Sequence, residues 1–358
     1  MQRTGLTMRA VRIHQNDAAR FQSDNPAPPS ALVLDSNIPV PQIARNHEVL
    51  VRVHAATVTR DELTWPETYK SECPIPGHDF SGTVVEVYSL DDTPDTDVTR
   101  RFNPEDEVYG MTETAGPGST WAEYALVRSH EIALKPKRLD WAQSATVPMS
   151  ALTAWQALFV KAGIPSPDLK QSSSKVAQEG QPNGRKILIT GASGAVGTFL
   201  VQLAALAGLH VVGCSTSNAR NGEFLRSLGA IEVFEYNELE GMRGDYDIII
   251  DTVGGTILEQ CWSLVKDDGV LITIDSSSYD FVETHRQCSF TTGKDRVTAI
   301  FFIVEPSRPQ LEQLAMALDL NLLQVFVAQT LPFEEAGKAY ELANERAARR
   351  GKIVLTVV

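Results

Sequence analysis

Along the first 150 residues apolar and polar positions alternate in short runs: Arg9–Ile13, Glu48–Ala55, Gly82–Tyr88, Glu107–Tyr109 and Ala122–Leu126. A period of two over so few residues, punctuated by turn formers, predicts half-buried strands and a β-rich body. From Lys186 the pattern changes. Apolar runs recur at Lys186–Thr190, His210–Cys214, Ile231–Phe234, Asp247–Asp251, Val270–Ile274 and Thr298–Val304. Helical spacing follows or separates them at Val196–Ala207, Ala219–Leu228, Thr256–Val265 and Gln310–Leu318. Six such strands with helices between them predict a doubly wound parallel sheet. Beyond Leu322, strand-like runs return at Leu322–Ala328 and Lys352–Val357 around a helix Phe333–Arg349, and these are expected to rejoin the first body. The expected organisation is therefore α/β in two domains, residues 1–150 with 322–358, and residues 151–321. Two polar stretches, Asp91–Asn103 and Pro165–Arg185, offer no apolar face and read as surface loops. No tandem repeat occurs, and the only low-complexity tract is Ser172–Lys175.

Composition narrows the function. With 43% hydrophobic and 22% charged residues the chain has an ordinary globular make-up. A net charge of −13 argues against a nucleic-acid partner, and any anionic ligand must be held by local features. Cys73, Cys214, Cys261 and Cys288 form no C-x-x-C pair, which indicates neither a disulfide framework nor a structural zinc cluster and points to a reducing, cytoplasmic setting. No apolar run approaches the roughly 20 residues of a membrane span. Arg3, Arg9 and Arg12 without early acids resemble a mitochondrial transit peptide, but Met8–Ile13 alternates like a first strand and is read as structure.

The sharpest motif is the turn Gly191-Ala192-Ser193-Gly194-Ala195-Val196-Gly197, between a buried strand and a helix. That context, rather than the glycines alone, marks a dinucleotide-binding turn. Aligned to G-x-G-x-x-G, the three positions are Ala192, Gly194 and Gly197, and Gly191 is available for the tight turn that the first glycine would make. Gly194 leaves room for a pyrophosphate beside the free N–H groups of a helix start, and Gly197 allows helix and strand to pack closely. Where an NAD-binding acid is expected, the chain reads Gly213-Cys214-Ser215-Thr216-Ser217-Asn218-Ala219-Arg220. Hydroxyls and one cation suit the 2′-phosphate of NADPH, with Ser215, Thr216 and Arg220 as candidates; the alternative is an Arg220 that merely starts a helix.

These residues, together with Pro76-Gly77-His78-Asp79-Phe80-Ser81-Gly82, Asp106-Glu107-Val108-Tyr109-Gly110, Leu152-Thr153-Ala154-Trp155, Leu228-Gly229-Ala230, Asp251-Thr252-Val253-Gly254-Gly255, Phe301-Phe302-Ile303-Val304-Glu305-Pro306 and Gly351-Lys352-Ile353-Val354-Leu355, resemble the medium-chain dehydrogenase/reductase superfamily. The likeness is to its zinc-independent quinone oxidoreductase and enoyl reductase branch, related to zeta-crystallin. It implies a GroES-like catalytic domain built from both chain ends and a Rossmann cofactor domain between them. By position it implies Thr153, Trp155, Val253, Ile274 and Phe302 around the cofactor and Tyr236 near its adenosine half. Plain core packing is the alternative for Trp155, Phe301 and Phe302.

The zinc-dependent members' ligand positions read Thr59 and His78 here, with no cysteine around Ser150–Leu152, so no metal is expected. Hydride transfer from NADPH to a quinone or an α,β-unsaturated carbonyl is the chemistry the resemblance implies, with the resulting enolate stabilised by a hydrogen-bond donor. Candidate substrate-side donors are Thr59, Arg60 and Tyr69, with Asp61 as an orienting or proton-relaying carboxylate, and the resemblance puts Tyr69 first for substrate contact. The segment Thr59-Arg60-Asp61-Glu62 departs from the branch's Asn-Pro-x-Asp pattern, and a charged helix start is its alternative reading. Two other functions stay open: a trans-acting enoyl reductase whose substrate arrives on a carrier protein, and a catalytically silent NADPH-binding protein. A small-molecule substrate and a possible homodimer complete the expectation.

Overall fold

A computed structural model describes residues 5–15, 20–88, 102–113, 119–170, 184–345 and 350–357. The expected loops Asp91–Asn103 and Pro165–Arg185 and the Ser172–Lys175 tract lie largely or wholly outside these residues. The first segment carries strands β1 (Thr7–Ile13), β2 (Leu32–Pro39), β3 (Glu48–Val58), β4 (Asp79–Val87), β5 (Glu107–Met111), β6 (Tyr124–Arg128) and β7 (Ile132–Leu134). The middle segment carries β8 (Lys186–Ile189), β9 (His210–Ser215), β10 (Glu232–Glu235), β11 (Tyr246–Asp251), β12 (Val265–Thr273) and β13 (Thr298–Phe301), and the last adds β14 (Val327–Pro332) and β15 (Lys352–Thr356).

Two compact units result. The first comprises residues 1–149, 305–319 and 324–358, and the second residues 150–304 with 320–323. In the first unit a sheet runs β14-β15-β3-β4-β5-β7, with β6 also on β3, beside the antiparallel pair β1-β2. Strand β15 lies between β14 and β3, so the end of the chain is built into the body of its beginning. Val49, Val51, Val53, Phe80, Val84, Trp121, Ile132, Phe333 and Leu355 form its core.

The second unit is a six-stranded sheet ordered β10-β9-β8-β11-β12-β13, with every neighbouring pair parallel. This is the doubly wound order, and the strand sequence reverses between β8 and β11. Helix Gly255–Leu264 buries Leu258, Cys261, Trp262 and Leu264 at helical spacing, while Glu259 and Gln260 face water. Burying Trp262 alone contributes on the order of 3 kcal/mol.

Several elements depart from the expectation. Strand β2 carries Asp35, Ser36, Asn37 and Pro39 and so lacks alternation; its pairing with β1 makes it a strand. Strand β7 is three residues long, too short for a period. The C-terminal strand begins at Val327 rather than Leu322, because its register starts opposite Lys352. The helix following it starts as a turn at Phe333–Glu335 and is α-helical over Ala336–Asn344; residues 346–349 lie outside the description. Helix Arg308–Asp319, expected within residues 151–321, joins the first unit instead. There the Tyr109 hydroxyl donates to Leu311 O at 2.6 Å, Arg138 N donates to the Asp319 carboxylate at 3.2 Å, and the Arg308 guanidinium lies 4.6 Å from the Phe102 ring centre.

Candidate functional site

The carboxyl edge of the parallel sheet gathers most of the residues expected around a dinucleotide. The tight turn after β8 falls at Gly191, whose φ of +60 demands glycine; a Cβ there would lie 2.1 Å from Thr252 Oγ1. Ala192 therefore occupies the first motif position without strain, fully buried, with its N–H on Cys214 O at 3.0 Å. Gly194 is exposed, extended and directly precedes helix Ala195–Leu206, whose start has no side-chain cap. The first N–H groups of such a helix have no intrahelical acceptor and face an anion readily. Ser193, Ala195 and Val196 are partly exposed around that opening. A Cβ on Gly197 would meet Gly191 O at 2.2 Å, so the helix packs directly against the turn. These glycines fit a pyrophosphate cradle.

Asp251 ties the edge together. Fully buried at the end of β11, it accepts from Thr190 Oγ1 at 2.6 Å, Thr273 Oγ1 at 2.8 Å and Gly254 N at 2.9 Å, linking β8, β11 and β12. Burial pushes its carboxyl above the ordinary value against these donors. Ile274 donates its N–H to Asp251 O at 3.1 Å, and Val253, two residues on, is exposed. The Tyr236 hydroxyl accepts from Gly191 N at 3.0 Å and so braces the turn itself; burial raises it to about 12. Phe302 is buried after β13 with Lys161 Nζ 5.4 Å from its ring centre, and Trp155 meets Phe159 edge to face at 4.7 Å. Thr153 is buried.

At the ribose-side candidates the three residues separate. Thr216 and Arg220 are exposed, whereas Ser215 is buried and its Oγ takes a hydrogen bond from Asn221 Nδ2 at 3.3 Å. Ser217 caps helix Asn218–Ser227 by accepting from Arg220 N. Glu235, from the end of β10, accepts from Asn218 N at 2.6 Å, and Glu238 accepts from Asn218 Nδ2 at 3.0 Å. Two carboxylates thus meet the helix start where the local sequence shows none.

In the first unit, register builds a second cluster. Ile353 pairs with Val58 and Ala56 pairs with Phe80, which brings Lys352 and Asp79 to either side of the end of β3. Both are buried, and they form an ion pair. Asp79 also accepts from Thr57 Oγ1 at 3.0 Å and from Met149 N at 2.7 Å. Lys352 Nζ donates to Thr59 Oγ1 at 3.3 Å, and Thr59 Oγ1 donates to Met149 Sδ at 3.8 Å. Glu62 is buried, accepting from Gly77 N at 2.6 Å and Thr59 N at 3.2 Å; burial nevertheless raises its carboxyl to about 7.

The other two substrate-side candidates face different partners. The Tyr69 hydroxyl donates to Leu63 O and accepts from Ala27 N at 2.8 Å, so its single proton is committed to the backbone. Asp61 is exposed at a φ of +58, its N–H on Asn344 Oδ1 at 3.0 Å and its carboxylate 3.9 Å from Arg60 Nε. Sequence reasoning missed Glu62, Asp79 and Lys352 as site residues. Only Asp79 carried a signal, a single carboxylate in an otherwise uncharged turn-and-strand segment; Glu62 follows Arg60 and Asp61, and Lys352 follows Arg349 and Arg350, so neither stood out.

The donors around Thr59 do not fit a zinc ion. His78 is buried with Nδ1 on Thr112 Oγ1 at 3.0 Å, burial lowers it to about 4, and Thr59 offers a hydroxyl in place of a thiolate. Among the described residues no three His, Cys, Asp or Glu side chains converge as a metal-binding group.

Comparison with known proteins follows this geometry. Residues 45–137 match the family described as "Alcohol dehydrogenase GroES-like domain", and residues 228–355 match "Zinc-binding dehydrogenase". A "Probable zinc-binding oxidoreductase, mitochondrial" of Arthroderma benhamiae is 32% identical over 322 residues, covering 87% of this chain and 88% of its own. The "NAD(P)H oxidoreductase RTN4IP1, mitochondrial" of Mus musculus is 30% identical over 366 residues, covering 90% and 85%. Among solved structures, the quinone oxidoreductase from Coxiella burnetii superposes with a TM-score of 0.76 at 25% identity, covering 99% of this chain and all of the other.

Proposed function

The chain belongs to the medium-chain dehydrogenase/reductase superfamily and is an oxidoreductase using a nicotinamide cofactor, and on that premise we propose that it reduces quinones or α,β-unsaturated carbonyl compounds with NADPH and without a metal. The observation that carries this reading is the uncapped, exposed Gly194 turn, backed by the tightly packed Gly191 and Gly197. When bound, the reduced nicotinamide supplies a hydride to an electron-poor carbon. The chain's part is to hold the cofactor and the acceptor, and to stabilise the negative charge that forms on the acceptor's oxygen.

Thr216, directly after β9, and Arg220, in the first turn of helix Asn218–Ser227, are both exposed and support the reading of a 2′-phosphate site for NADPH. One observation favours a second reading: Glu235 and Glu238 bring negative charge to the same helix start and would suit the free 2′-hydroxyl of NADH. Fluorescence titration decides between them. The expected result is tighter binding of NADPH, weakened about tenfold by Arg220→Ala with NADH unaffected; tighter NADH binding overturns the NADPH reading.

On the substrate side Thr59 leads the three candidates, since its hydroxyl proton goes to a weak sulfur acceptor. Tyr69 would contribute its ring, and Asp61 an exposed carboxylate. The metal-free reading follows from the donor set at Thr59 and His78, and elemental analysis giving about one zinc per chain would sink it. A panel of cyclohex-2-enone, 1,4-benzoquinone and crotonyl thioester, read by NADPH consumption, separates the acceptor classes; turnover of the thioester alone would support a carrier-borne acyl substrate. The four cysteines are free, consistent with a reducing compartment, for which we propose the cytoplasm although two relatives are named as mitochondrial. No helix of the described residues is long and apolar enough to cross a membrane.

A further inference from the structure

We propose that Lys352, held by Asp79, is a positioning residue that fixes the Thr59 hydroxyl as the hydrogen-bond donor to the carbonyl oxygen of the acceptor. This rests on the reductase reading above and goes beyond it by assigning a built donor and the residues that orient it.

The argument begins with what each group is able to do. A lysine ammonium donates and never accepts, so the contact from Lys352 Nζ occupies a lone pair of Thr59 Oγ1 and turns the Thr59 proton away from it. That proton goes to Met149 Sδ at 3.8 Å. A thioether is a weak acceptor, so an arriving carbonyl oxygen, and far more an enolate oxygen, displaces it at little cost. Thr59 is partly exposed, while Lys352 and Asp79 are buried behind it. Lys352 is therefore largely shielded from water, and its charge polarises the hydroxyl at low effective dielectric.

Asp79 sets the geometry. Its two oxygens hold Lys352 Nζ, Thr57 Oγ1 and the backbone N–H of Met149, so a single carboxylate fixes both neighbours of the Thr59 hydroxyl. From the other side Glu62 accepts from Thr59 N at 3.2 Å and fixes the backbone. Thr59 thus has its amide, its lone pair and its proton each directed by a different buried partner. A residue that only filled space would need none of these.

The chemistry balances without a further reagent. The electron-poor carbon of the enone gains the hydride, the π pair of the carbon–carbon double bond moves through the conjugated system, and the carbonyl oxygen becomes an enolate. Thr59 Oγ–H donates its hydrogen bond to that oxygen and keeps its proton. Solvent water then protonates the α-carbon and the carbonyl re-forms.

Thr59→Val keeps the shape and removes the hydroxyl; Thr59→Ser restores it. With cyclohex-2-enone and NADPH, Thr59→Val is expected to lower kcat about 100-fold with the NADPH dissociation constant unchanged, and Thr59→Ser to stay within about fivefold of wild type. Because Lys352→Met alone leaves Asp79 buried and unpaired, the pair is removed together as Asp79→Asn with Lys352→Met. That variant is expected to lose about tenfold in kcat, and to lose nothing further once Thr59 is Val, since the pair acts through the hydroxyl. Independently of turnover, the carbonyl stretch of cyclohex-2-enone bound to the NADP⁺ complex should move to lower frequency in wild type and return toward its solution value in Thr59→Val. Full kcat in Thr59→Val, an unshifted carbonyl band in wild type, or a full additive loss in the triple variant overturns the assignment. If wild type turns over no quinone or enone at all, the reductase reading fails first and the assignment with it; an active wild type with an active Thr59→Val overturns the assignment alone.

Discussion

Glu62 and His78 are buried titratable groups whose charged forms burial disfavours, and they act on stability in opposite directions of pH. Glu62 titrates near 7 when folded and near 4.5 when unfolded, so between these values the folded chain holds the extra proton and stability falls as pH rises. His78 titrates near 4 when folded and 6.5 when unfolded; there the unfolded chain holds the extra proton, and stability falls as pH drops. Between about pH 4.5 and 6.5 the two contributions oppose each other. Removing one should expose the other: Glu62→Gln is expected to gain about 2 kcal/mol between pH 5 and pH 6.5 relative to wild type, and His78→Gln to lose a similar amount. In thermal melts that is a relative Tm change of about 5 °C. Parallel pH profiles for wild type and both variants would show that neither group is buried in its costly form. Sequence reading placed Thr59 and His78 by their motif positions but missed the groups that give them character. Asp79 and Lys352 are 273 residues apart, and only the pairing of β15 and β4 on either side of β3 brings opposite charges to one hydroxyl.

The strand-turn-helix over Lys186–Leu206 separates the demands of folding from those of binding, glycine by glycine. A Cβ on Gly197 would lie 2.2 Å from Gly191 O and 2.7 Å from Ala192, all backbone atoms that cannot move aside without opening the turn. A Cβ on Gly194 meets only Gly191 O, at 3.1 Å, and the φ of −77 suits any residue. Gly197→Ala is therefore expected to cost about 2 kcal/mol or more in stability. Gly194→Ala should keep Tm within about 2 °C of wild type while weakening NADPH about tenfold or more, because the methyl group fills the space the pyrophosphate needs. Titration and melting of the two variants check this, and unchanged NADPH affinity in Gly194→Ala would remove the turn from the cofactor site. This element was readable in the sequence because its strand is apolar after Lys186, its helix has a helical period and its turn carries glycine where backbone meets backbone. The same reasoning missed β2, whose Asp35, Ser36 and Asn37 break the alternation, and β7, which is shorter than two periods. Those strands exist through their partners in the sheet, and propensity along the chain is silent about partners.

The whole chain is organised by its C-terminus returning to its start. Among the described strands β14 and β15 come latest in the sequence, yet β15 sits inside the seven-stranded sheet between β14 and β3, and Lys352 at its first residue completes the Thr59 cluster. The parallel sheet takes its six strands from residues 186–301 and owes none of them to the last 35 residues. The domain division read from the sequence followed the same logic but carried helix Arg308–Asp319 with the strands before it, because an amphipathic period shows that a helix buries one face and not which surface receives it. Removal of residues 324–358 thus tests the two units separately. It strips β14 and β15 from β3, exposes the backbone of that strand along its paired length and deletes Lys352, so turnover of cyclohex-2-enone should fall below detection and the truncated chain should self-associate through the bared edge. The Gly191–Gly197 turn, Tyr236 and Asp251 are untouched, and NADPH titration of the soluble fraction is expected to give a dissociation constant within about threefold of the full chain. Loss of NADPH binding with the truncation would mean that the parallel sheet depends on the chain's last strands for its fold, and retained turnover would mean that the cluster around Thr59 has no part in the reaction.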